Sequence, residues 1–177
     1  MYNKIMKVIK DFLPEDLIDY LHTHYLRVPH DYGHTSETMS QEDSYMIEKP
    51  EICFYRHILD IKDPMTNYLC RKVKDAFFPE LTSGELGFLR IYINVHHPGM
   101  EGDFHEDDGE ITVMLMVSET LPDSGSFEYK EDGEVKEIPF VKNTLIAFDA
   151  KMPHRGRAPK RGVRITLAFK TEKKDRC

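Results

Sequence analysis

Long apolar runs are missing from the sequence, and none approaches the roughly 20 residues that a membrane-spanning helix needs. The N-terminal residues 1–17 contain lysines but neither an uninterrupted apolar stretch nor a small-residue cleavage site, which argues against a secretory signal peptide. Cysteine is scarce: Cys53, Cys70 and Cys177 are odd in number and lie outside metal-ligand spacing. Scattered thiols of this kind are typical of reduced cysteines, so the sequence predicts a cytoplasmic protein without a membrane partner.

Positive charge is also in deficit, because 24 lysines and arginines stand against 31 aspartates and glutamates and leave a net charge of -7. This balance disfavours non-specific binding to a phosphate backbone, so we expect no nucleic-acid partner. Internal repeats and low-complexity tracts are absent. A chain of 177 residues that is 40% hydrophobic fits one domain with its own core. We predict a single domain over residues 1–177, present as a monomer or weak homodimer.

Helical signals are concentrated before residue 80. In residues 13–26, LPEDLIDYLHTHYL, Pro14 and the two following acids suit a helix start, and Leu17, Leu21 and Tyr25 repeat on one face. A second helix is predicted over residues 63–78, with Asp63 as its N-terminal cap. The core positions expected on that helix are Leu69, Val73, Ala76 and Phe77. Residues 29–45 are polar and have no period, which favours a surface loop or lid.

After Gly84 the sequence takes on the two-residue alternation of β-strands. Residues 86–95 and 161–170 each alternate between an apolar and a polar face, and a hairpin turn is predicted at Asp132-Gly133. The apolar positions are Leu89, Ile91, Ile93, Val95, Ile165, Leu167 and Phe169, and the polar positions are Arg90, Tyr92, Asn94, Arg164, Thr166 and Lys170. Such strands suit a sheet with helices on its outer side and a site on its inner side.

Helices followed only by strands indicate an α+β domain. We predict a double-stranded β-helix (jelly-roll) barrel over about residues 86–170, flanked by N-terminal helices over about residues 1–80.

The segment GDFHEDDG, residues 102–109, sets one histidine among four acids. In an extended chain His105 and Asp107 point to the same side with their Cα atoms about 6.8 Å apart, so both can reach one ion. His154, just after the apolar strand TLIAF, is the candidate third ligand. Two histidines and one carboxylate predict a non-haem Fe(II) site with open coordination positions. Ten residues further on, Arg164 suits a bidentate grip on a carboxylate.

This ordered set of H-x-D, a distal histidine after an apolar strand, and a G-x-R-x-T strand resembles the Fe(II)/2-oxoglutarate-dependent oxygenases over about residues 86–170. The resemblance implies Fe(II) on His105, Asp107 and His154, with 2-oxoglutarate and O2 as cosubstrates and ascorbate as an optional addition. It also implies that Arg164 holds the 5-carboxylate of 2-oxoglutarate, and that succinate and CO2 are released as the substrate is hydroxylated. Further contacts to the cosubstrate are expected from Tyr92, Asn94 and Thr166.

Two branches of this superfamily compete. GSFEY and NTLIAFDAKMPHRG look like the prolyl-4-hydroxylase-like branch, although Met116 stands where many of those enzymes offer a tyrosine to the cosubstrate. NVHHPGMEGDFHED has the N-x-Y-x-P-G-x5-H-x-D spacing of the AlkB-like nucleic-acid demethylases, with His96 in place of the tyrosine and with Thr166 and Lys170 substituted in the last strand. We favour a prolyl-hydroxylase-like dioxygenase acting on a peptidyl proline or a small substrate. The alternatives are an AlkB-like demethylase and a non-catalytic, cupin-like metal-binding module.

Other basic residues have weaker claims to the site. The alternatives to Arg164 as the carboxylate anchor are Arg155, Arg157, Arg161 and Lys170. Tyr92 or Thr166 is the candidate for the missing cosubstrate hydroxyl. His96 and His97 precede a Pro-Gly turn signal and are predicted to be structural. Substrate contacts are expected from loops over residues 28–50 and 96–104, whose sequence does not specify a ligand.

Overall fold

The computed structural model describes residues 6–34, 54–81 and 86–173. The first two of these segments form strand β1 (Met6–Ile9), helix α1 (Glu15–Tyr25), strands β2 (Asp31–His34) and β3 (Phe54–Ile58), and helix α2 (Pro64–Leu81). The third segment contains strands β4 (Leu86–His96), β5 (Ile111–Met116), β6 (Ser126–Glu131), β7 (Glu134–Pro139), β8 (Leu145–Asp149), β9 (His154–Gly156) and β10 (Arg164–Lys173). Within these residues the protein is mostly β-sheet with two helices.

The strands form two antiparallel sheets whose inner faces pack together. The larger sheet has seven strands in the order β1-β8-β5-β10-β4-β3-β2, and the smaller has the order β7-β6-β9. Phe127 of β6 contacts Phe148 of β8 across the two sheets, with ring centroids 4.8 Å apart. His105 forms an isolated bridge with His154 of β9, which places the predicted metal segment beside the smaller sheet. The result is the two-sheet arrangement of a jelly roll.

The outer face of the larger sheet forms the main core with the helices. Its buried members from β4 and β10 belong to one cluster with Ile18, Leu21 and Tyr25 of α1 and with Leu69, Val73 and Phe77 of α2. The β-strand members include Ile91, Ile93, Val95, Ile165, Leu167 and Phe169. Burying each such side chain stabilises the fold by about 1.5–3 kcal/mol. The alternation predicted for β10 is confirmed, and its other face is therefore turned to the barrel interior.

Helix α2 begins as its sequence predicts. The Asp63 carboxylate accepts hydrogen bonds from the Thr66 backbone N–H at 2.9 Å and from the Thr66 hydroxyl at 3.1 Å. An acceptor at this position satisfies a donor that the first helical turn leaves free.

Among the described residues, no helix combines the length and apolar character that crossing a membrane requires.

The flank predicted as helical over about residues 1–80 contains α1 and α2 but also β1, β2 and β3, so the expectation that strands begin only after Gly84 is wrong. Strand β1 pairs with β8 at one edge of the larger sheet, and β3 pairs with β4 towards the other. Residues 31–34, predicted to be loop, form the edge strand β2, and residues 35–45 of the predicted loop lie outside the described residues. Strands of four or five residues are stabilised by their neighbours, so their own sequences show little periodicity.

One position on β4 also departs from the predicted alternation. Leu89 was expected with the apolar set, yet its side chain is 41% exposed. The pairing with β10 shifts here, because Arg90 is opposite Lys170 whereas Phe88 is opposite Thr171. Leu89 is the extra residue of a β-bulge, and a bulge turns its side chain out of the regular pattern. The Asp132-Gly133 hairpin turn is confirmed, with φ angles of 54° and 85°.

Candidate metal and cosubstrate site

The structure brings His105, Asp107 and His154 together at the edge of the smaller sheet. His105 and His154 exchange backbone hydrogen bonds of 3.0 and 2.9 Å, and the Asp107 N–H donates to the Ala150 carbonyl at 2.7 Å. The Asp107 carboxylate lies 3.5 Å from Nε2 of His105 and 3.3 Å from Nε2 of His154. One ligand atom from each residue falls within 4.8 Å of the others, so the three side chains can hold a single ion.

Backbone carbonyls fix the orientation and the tautomer of both imidazole rings. Nδ1 of His105 lies 2.9 Å from the Asp103 carbonyl oxygen, and Nδ1 of His154 lies 2.8 Å from the Met152 carbonyl oxygen. A carbonyl can only accept, so each Nδ1 carries the proton and each Nε2 directs its lone pair towards Asp107. A second hydrogen bond of this type orients the ring and sets the tautomer in histidine metal ligands.

Burial keeps both imidazoles uncharged. It lowers the pKa of His154 to about 3, and the neighbouring His105 acts in the same direction. Burial also lowers the pKa of His105, partly offset by its hydrogen bond to Asp103. A histidine must be neutral to bind a metal, so the folded protein presents the reactive form without first losing a proton.

The lowered pKa values of His105 and His154 predict how metal affinity depends on pH. Two histidines with the usual pKa would lower metal affinity roughly tenfold between pH 7.5 and 6.0 as they gain protons. Because the folded protein holds both values lower, the neutral form persists below pH 6.5, and we expect the Kd for Mn(II) to rise by less than about threefold over that range. Calorimetric titration of Mn(II) at the two pH values measures this. A loss of tenfold or more would show that the imidazoles titrate normally.

Two further side chains hold the Asp107 carboxylate. The Thr112 hydroxyl donates to Oδ2 of Asp107 at 2.6 Å, and the Lys170 ammonium contacts the same oxygen and lies 3.2 Å from the Thr112 hydroxyl. Lys170 is only 2% exposed, and burial together with the Arg90 charge lowers its pKa to about 6. Contact with the Asp107 carboxylate favours the charged form and opposes this shift. The sequence offered Lys170 as an alternative anchor for the cosubstrate, but the structure places it against the candidate metal carboxylate.

Arg164 lies on the inner face of β10 and is 4% exposed. Its Nη1 donates to the carbonyls of Ser126, at 3.1 Å, and of Arg157, while its Nε is buried without a hydrogen-bond partner in the described part of the chain. Burial lowers its pKa to about 10, so the guanidinium is still charged at neutral pH. A buried charged donor with unused capacity is unfavourable unless an anion meets it, and this observation fits a carboxylate ligand.

His96 is the neighbour of Arg164 that sequence reasoning assigned to structure. Its Nδ1 lies 3.5 Å from Nη2 of Arg164, opposite it in the β4–β10 register. Burial and the Arg164 charge hold the pKa of His96 well below its usual value, so the ring is neutral and its Nδ1 can accept. The signal that could have found it is the two-residue alternation of β4, which continues from Tyr92 and Asn94 to His96.

The other residues predicted to contact the cosubstrate lie on this inner face at different positions along β4 and β10. Thr166 is 1% exposed and stands opposite Asn94 and Met116, and Oδ1 of Asn94 is buried without a partner within the described residues. Tyr92 is opposite Ala168, four residues along β10 from Arg164. Asn94 and Thr166 therefore lie next to Arg164, whereas Tyr92 lies towards Lys170.

Gly156 leaves the room that the Arg164 guanidinium occupies. A Cβ atom at residue 156 would lie 2.8 Å from Cζ of Arg164, and closer still to Nη2. Gly156→Ala should therefore displace the guanidinium, and we expect the KM for 2-oxoglutarate to rise about tenfold or more with metal affinity unchanged. Steady-state kinetics and a Mn(II) titration measure the two quantities. The double variant Gly156→Ala/Arg164→Ala should be no worse than Arg164→Ala, and additive effects would refute this link.

Comparison with known proteins gives a structural likeness only, because no family model and no curated protein matches the sequence. An oxidoreductase of the 2OG-Fe(II) oxygenase family from Burkholderia pseudomallei superposes with a TM-score of 0.70 at 16% identity, over 96% of this chain and 84% of that one. A Trichoplax adhaerens prolyl hydroxylase in complex with a hypoxia-inducible-factor peptide gives a TM-score of 0.73 at 13% identity, over 94% and 83%. HygX from Streptomyces hygroscopicus, with nickel, 2-oxoglutarate and hygromycin B bound, gives a TM-score of 0.67 at 12% identity, over 93% of this chain and 81% of that one. The chain has the fold of the 2OG-Fe(II) oxygenases, prolyl hydroxylases among them.

Proposed function

We propose that the protein is an Fe(II)- and 2-oxoglutarate-dependent dioxygenase that hydroxylates a peptidyl proline or a small substrate and releases succinate and CO2. The observation that carries the proposal is the joint presence of two features in one barrel. A triad of two neutral histidines and one carboxylate lies within ligand distance of a single ion. The buried Arg164 guanidinium, with an unused donor, faces the same interior.

The residues present fit the groups that this reaction needs. His105, Asp107 and His154 would hold Fe(II), which when bound activates O2 for the oxidation of a substrate C–H bond. Three protein ligands leave coordination positions for the cosubstrate and oxygen. Arg164 would bind the distal carboxylate of 2-oxoglutarate, and Asn94 would contact the cosubstrate from the adjacent strand.

Side chains around the triad keep it rigid and dry. The ring of His154 packs against Phe127 at 5.5 Å and Phe148 at 4.6 Å between centroids, which excludes water from one side of the site. Thr112 and Lys170 hold Oδ2 of Asp107, so Oδ1 is the oxygen left for an ion. Preorganised ligands of this kind need little rearrangement when they bind a metal.

The substrate class rests on likeness and charge. The peptide-bound Trichoplax prolyl hydroxylase and the hygromycin-bound HygX show that this fold accommodates both peptides and small molecules. A demethylase is less well supported, because the net charge is -7 and His96, Thr166 and Lys170 replace the residues of the AlkB pattern. A non-catalytic metal-binding module would leave the buried Arg164 charge without a purpose.

The experiment is succinate release from 2-oxoglutarate with Fe(II) and three panels: proline-containing peptides, free amino acids and methylated oligonucleotides. Turnover with peptides or amino acids, lost in His154→Ala, is the expected result. Turnover with oligonucleotides alone would favour the demethylase. Failure of the wild-type protein to bind 2-oxoglutarate in the presence of metal would overturn the dioxygenase itself.

A further inference from the structure

Three cations surround the ring of Tyr92 on the inner face of the larger sheet. Cζ of Arg56 lies 5.7 Å from the ring centroid, and Cζ of Arg90 and Nζ of Lys170 each lie 5.9 Å from it. Two of the three have anionic partners, because Arg90 binds both oxygens of Asp108 at 2.6 and 2.7 Å and Lys170 contacts Asp107. Among the described residues, Arg56 is then the one of these three cations without an acid in contact.

Arg56 has no carboxylate within ion-pair distance among the residues that the structure describes. Its guanidinium lies near the Tyr92 ring, and its Nε is buried without a hydrogen-bond partner in the same part of the chain. The acid that faces it most directly is Asp31, its register partner on β2, which is exposed. Burial lowers the pKa of Arg56, yet an arginine stays charged at neutral pH. A half-buried guanidinium with an unused donor is a binding group for an anion.

The position of Arg56 separates it from the cosubstrate anchor. Arg56 is opposite Asn94 on β4, and Asn94 is opposite Thr166 on β10. Two strand spacings thus lie between the backbone of Arg56 and the strand that carries Arg164 and Lys170, which is about 10 Å. An anion held by Arg56 is therefore distinct from the 5-carboxylate that Arg164 would bind, and both face the interior that contains the triad.

We infer that Arg56 binds a carboxylate of the primary substrate, which makes that substrate an acid. The inference rests on the proposed function and narrows its substrate class to an acidic residue beside the oxidised one in a peptide, or a free carboxylic acid. The planar guanidinium fork matches a carboxylate in two hydrogen bonds. A single charge suits the site better than a phosphate dianion, because Arg90 and Lys170 already have their own acids.

The test uses the full chain loaded with Mn(II) and 2-oxoglutarate and measures binding by calorimetry. The probes are matched pairs that differ only in acid against amide: proline-containing hexapeptides with Asp or Asn beside the proline, aspartate with asparagine, and glutamate with glutamine. We expect the acid of at least one pair to bind about tenfold more tightly than its amide. Arg56→Gln should remove that preference, and the matched control Arg90→Gln, which removes a cation beside the same ring, should keep it. The peptide and free-acid arms distinguish the two sources of the carboxylate.

Equal binding of acid and amide throughout the panel, or a preference that survives in Arg56→Gln, would overturn the inference. Mn(II) and 2-oxoglutarate affinities of Arg56→Gln should equal those of the wild type, which shows that the variant is folded. If the wild type fails to bind 2-oxoglutarate, the proposed function is refuted. The same acid and amide probes are then titrated, without cosubstrate, into the Arg164→Ala protein. A preference for the acid that disappears when Arg56→Gln is added to this variant supports the anion subsite independently, and the absence of any preference overturns the subsite as well.

Discussion

Asp107→Ala should abolish tight metal binding and all turnover. The variant removes the one carboxylate in the candidate ligand set, between Nε2 of His105 and Nε2 of His154. Loss of a residue that merely orients a ligand costs 10–100-fold in affinity, so loss of the ligand itself should exceed about 100-fold. Titration of Mn(II) into wild-type and variant protein measures the loss directly.

Asp107→Ala also removes the anionic partner of Lys170. Because burial lowers the pKa of Lys170 to about 6, the buried amine can lose its proton, so the cost in folding free energy should stay below the about 3–5 kcal/mol of an unpaired buried charge. The double variant Asp107→Ala/Lys170→Met removes both charges and should regain stability without regaining metal binding. Asp108→Ala is the matched control, because that exposed acid pairs with Arg90 and should leave metal affinity within about threefold. Undiminished metal affinity in the double variant would show that the triad is wrongly assigned.

Arg164→Ala should raise the KM for 2-oxoglutarate strongly and leave metal affinity unchanged. Removing one partner of a buried, charge-assisted pair costs about 2–5 kcal/mol, which corresponds to roughly 30-fold or more in affinity. Arg164→Lys keeps the charge but loses the planar fork, so we expect an intermediate KM. Steady-state kinetics in 2-oxoglutarate, with a parallel Mn(II) titration, separate this effect from misfolding, which would lower both affinities together.

The matched control is Arg161→Ala, a nearby exposed arginine whose Nε lies 3.4 Å from the Pro122 carbonyl. It should leave the KM for 2-oxoglutarate within about twofold of wild type. The assignment of the anchor would be wrong if Arg161→Ala or Lys170→Ala destroyed 2-oxoglutarate binding while Arg164→Ala preserved it.

Local periodicity explains why much of the strand half could be predicted. The alternation of β10 assigns Ile165 and Leu167 to the helix-covered face and Arg164 to the interior without any knowledge of the neighbouring strands. The Asp132-Gly133 turn is equally local, because both residues adopt the positive φ that such turns require. The spacing of His105 and Asp107 likewise places them on one side of the chain.

What could not be predicted depends on pairing between distant segments. The contact of Lys170 with Asp107 follows from the register of β10 against β5 and from the path of the 102–110 segment, neither of which is encoded locally. The bulge at Leu89 arises from a mismatch between β4 and β10 and leaves no trace in the alternation of β4 itself. Strands β1 and β3 are too short to show a clear alternation, and they are stabilised by pairing with β8 and β4.

The most direct test of the account is a calorimetric titration of 2-oxoglutarate into the protein, with and without one equivalent of Mn(II) in the absence of oxygen. We expect one binding site that requires the metal, is absent in the Asp107→Ala/Lys170→Met double variant, and is weakened by roughly 30-fold or more in Arg164→Ala. Binding of 2-oxoglutarate that is independent of metal, or no binding when the metal is present, would contradict a site built from His105, Asp107, His154 and Arg164.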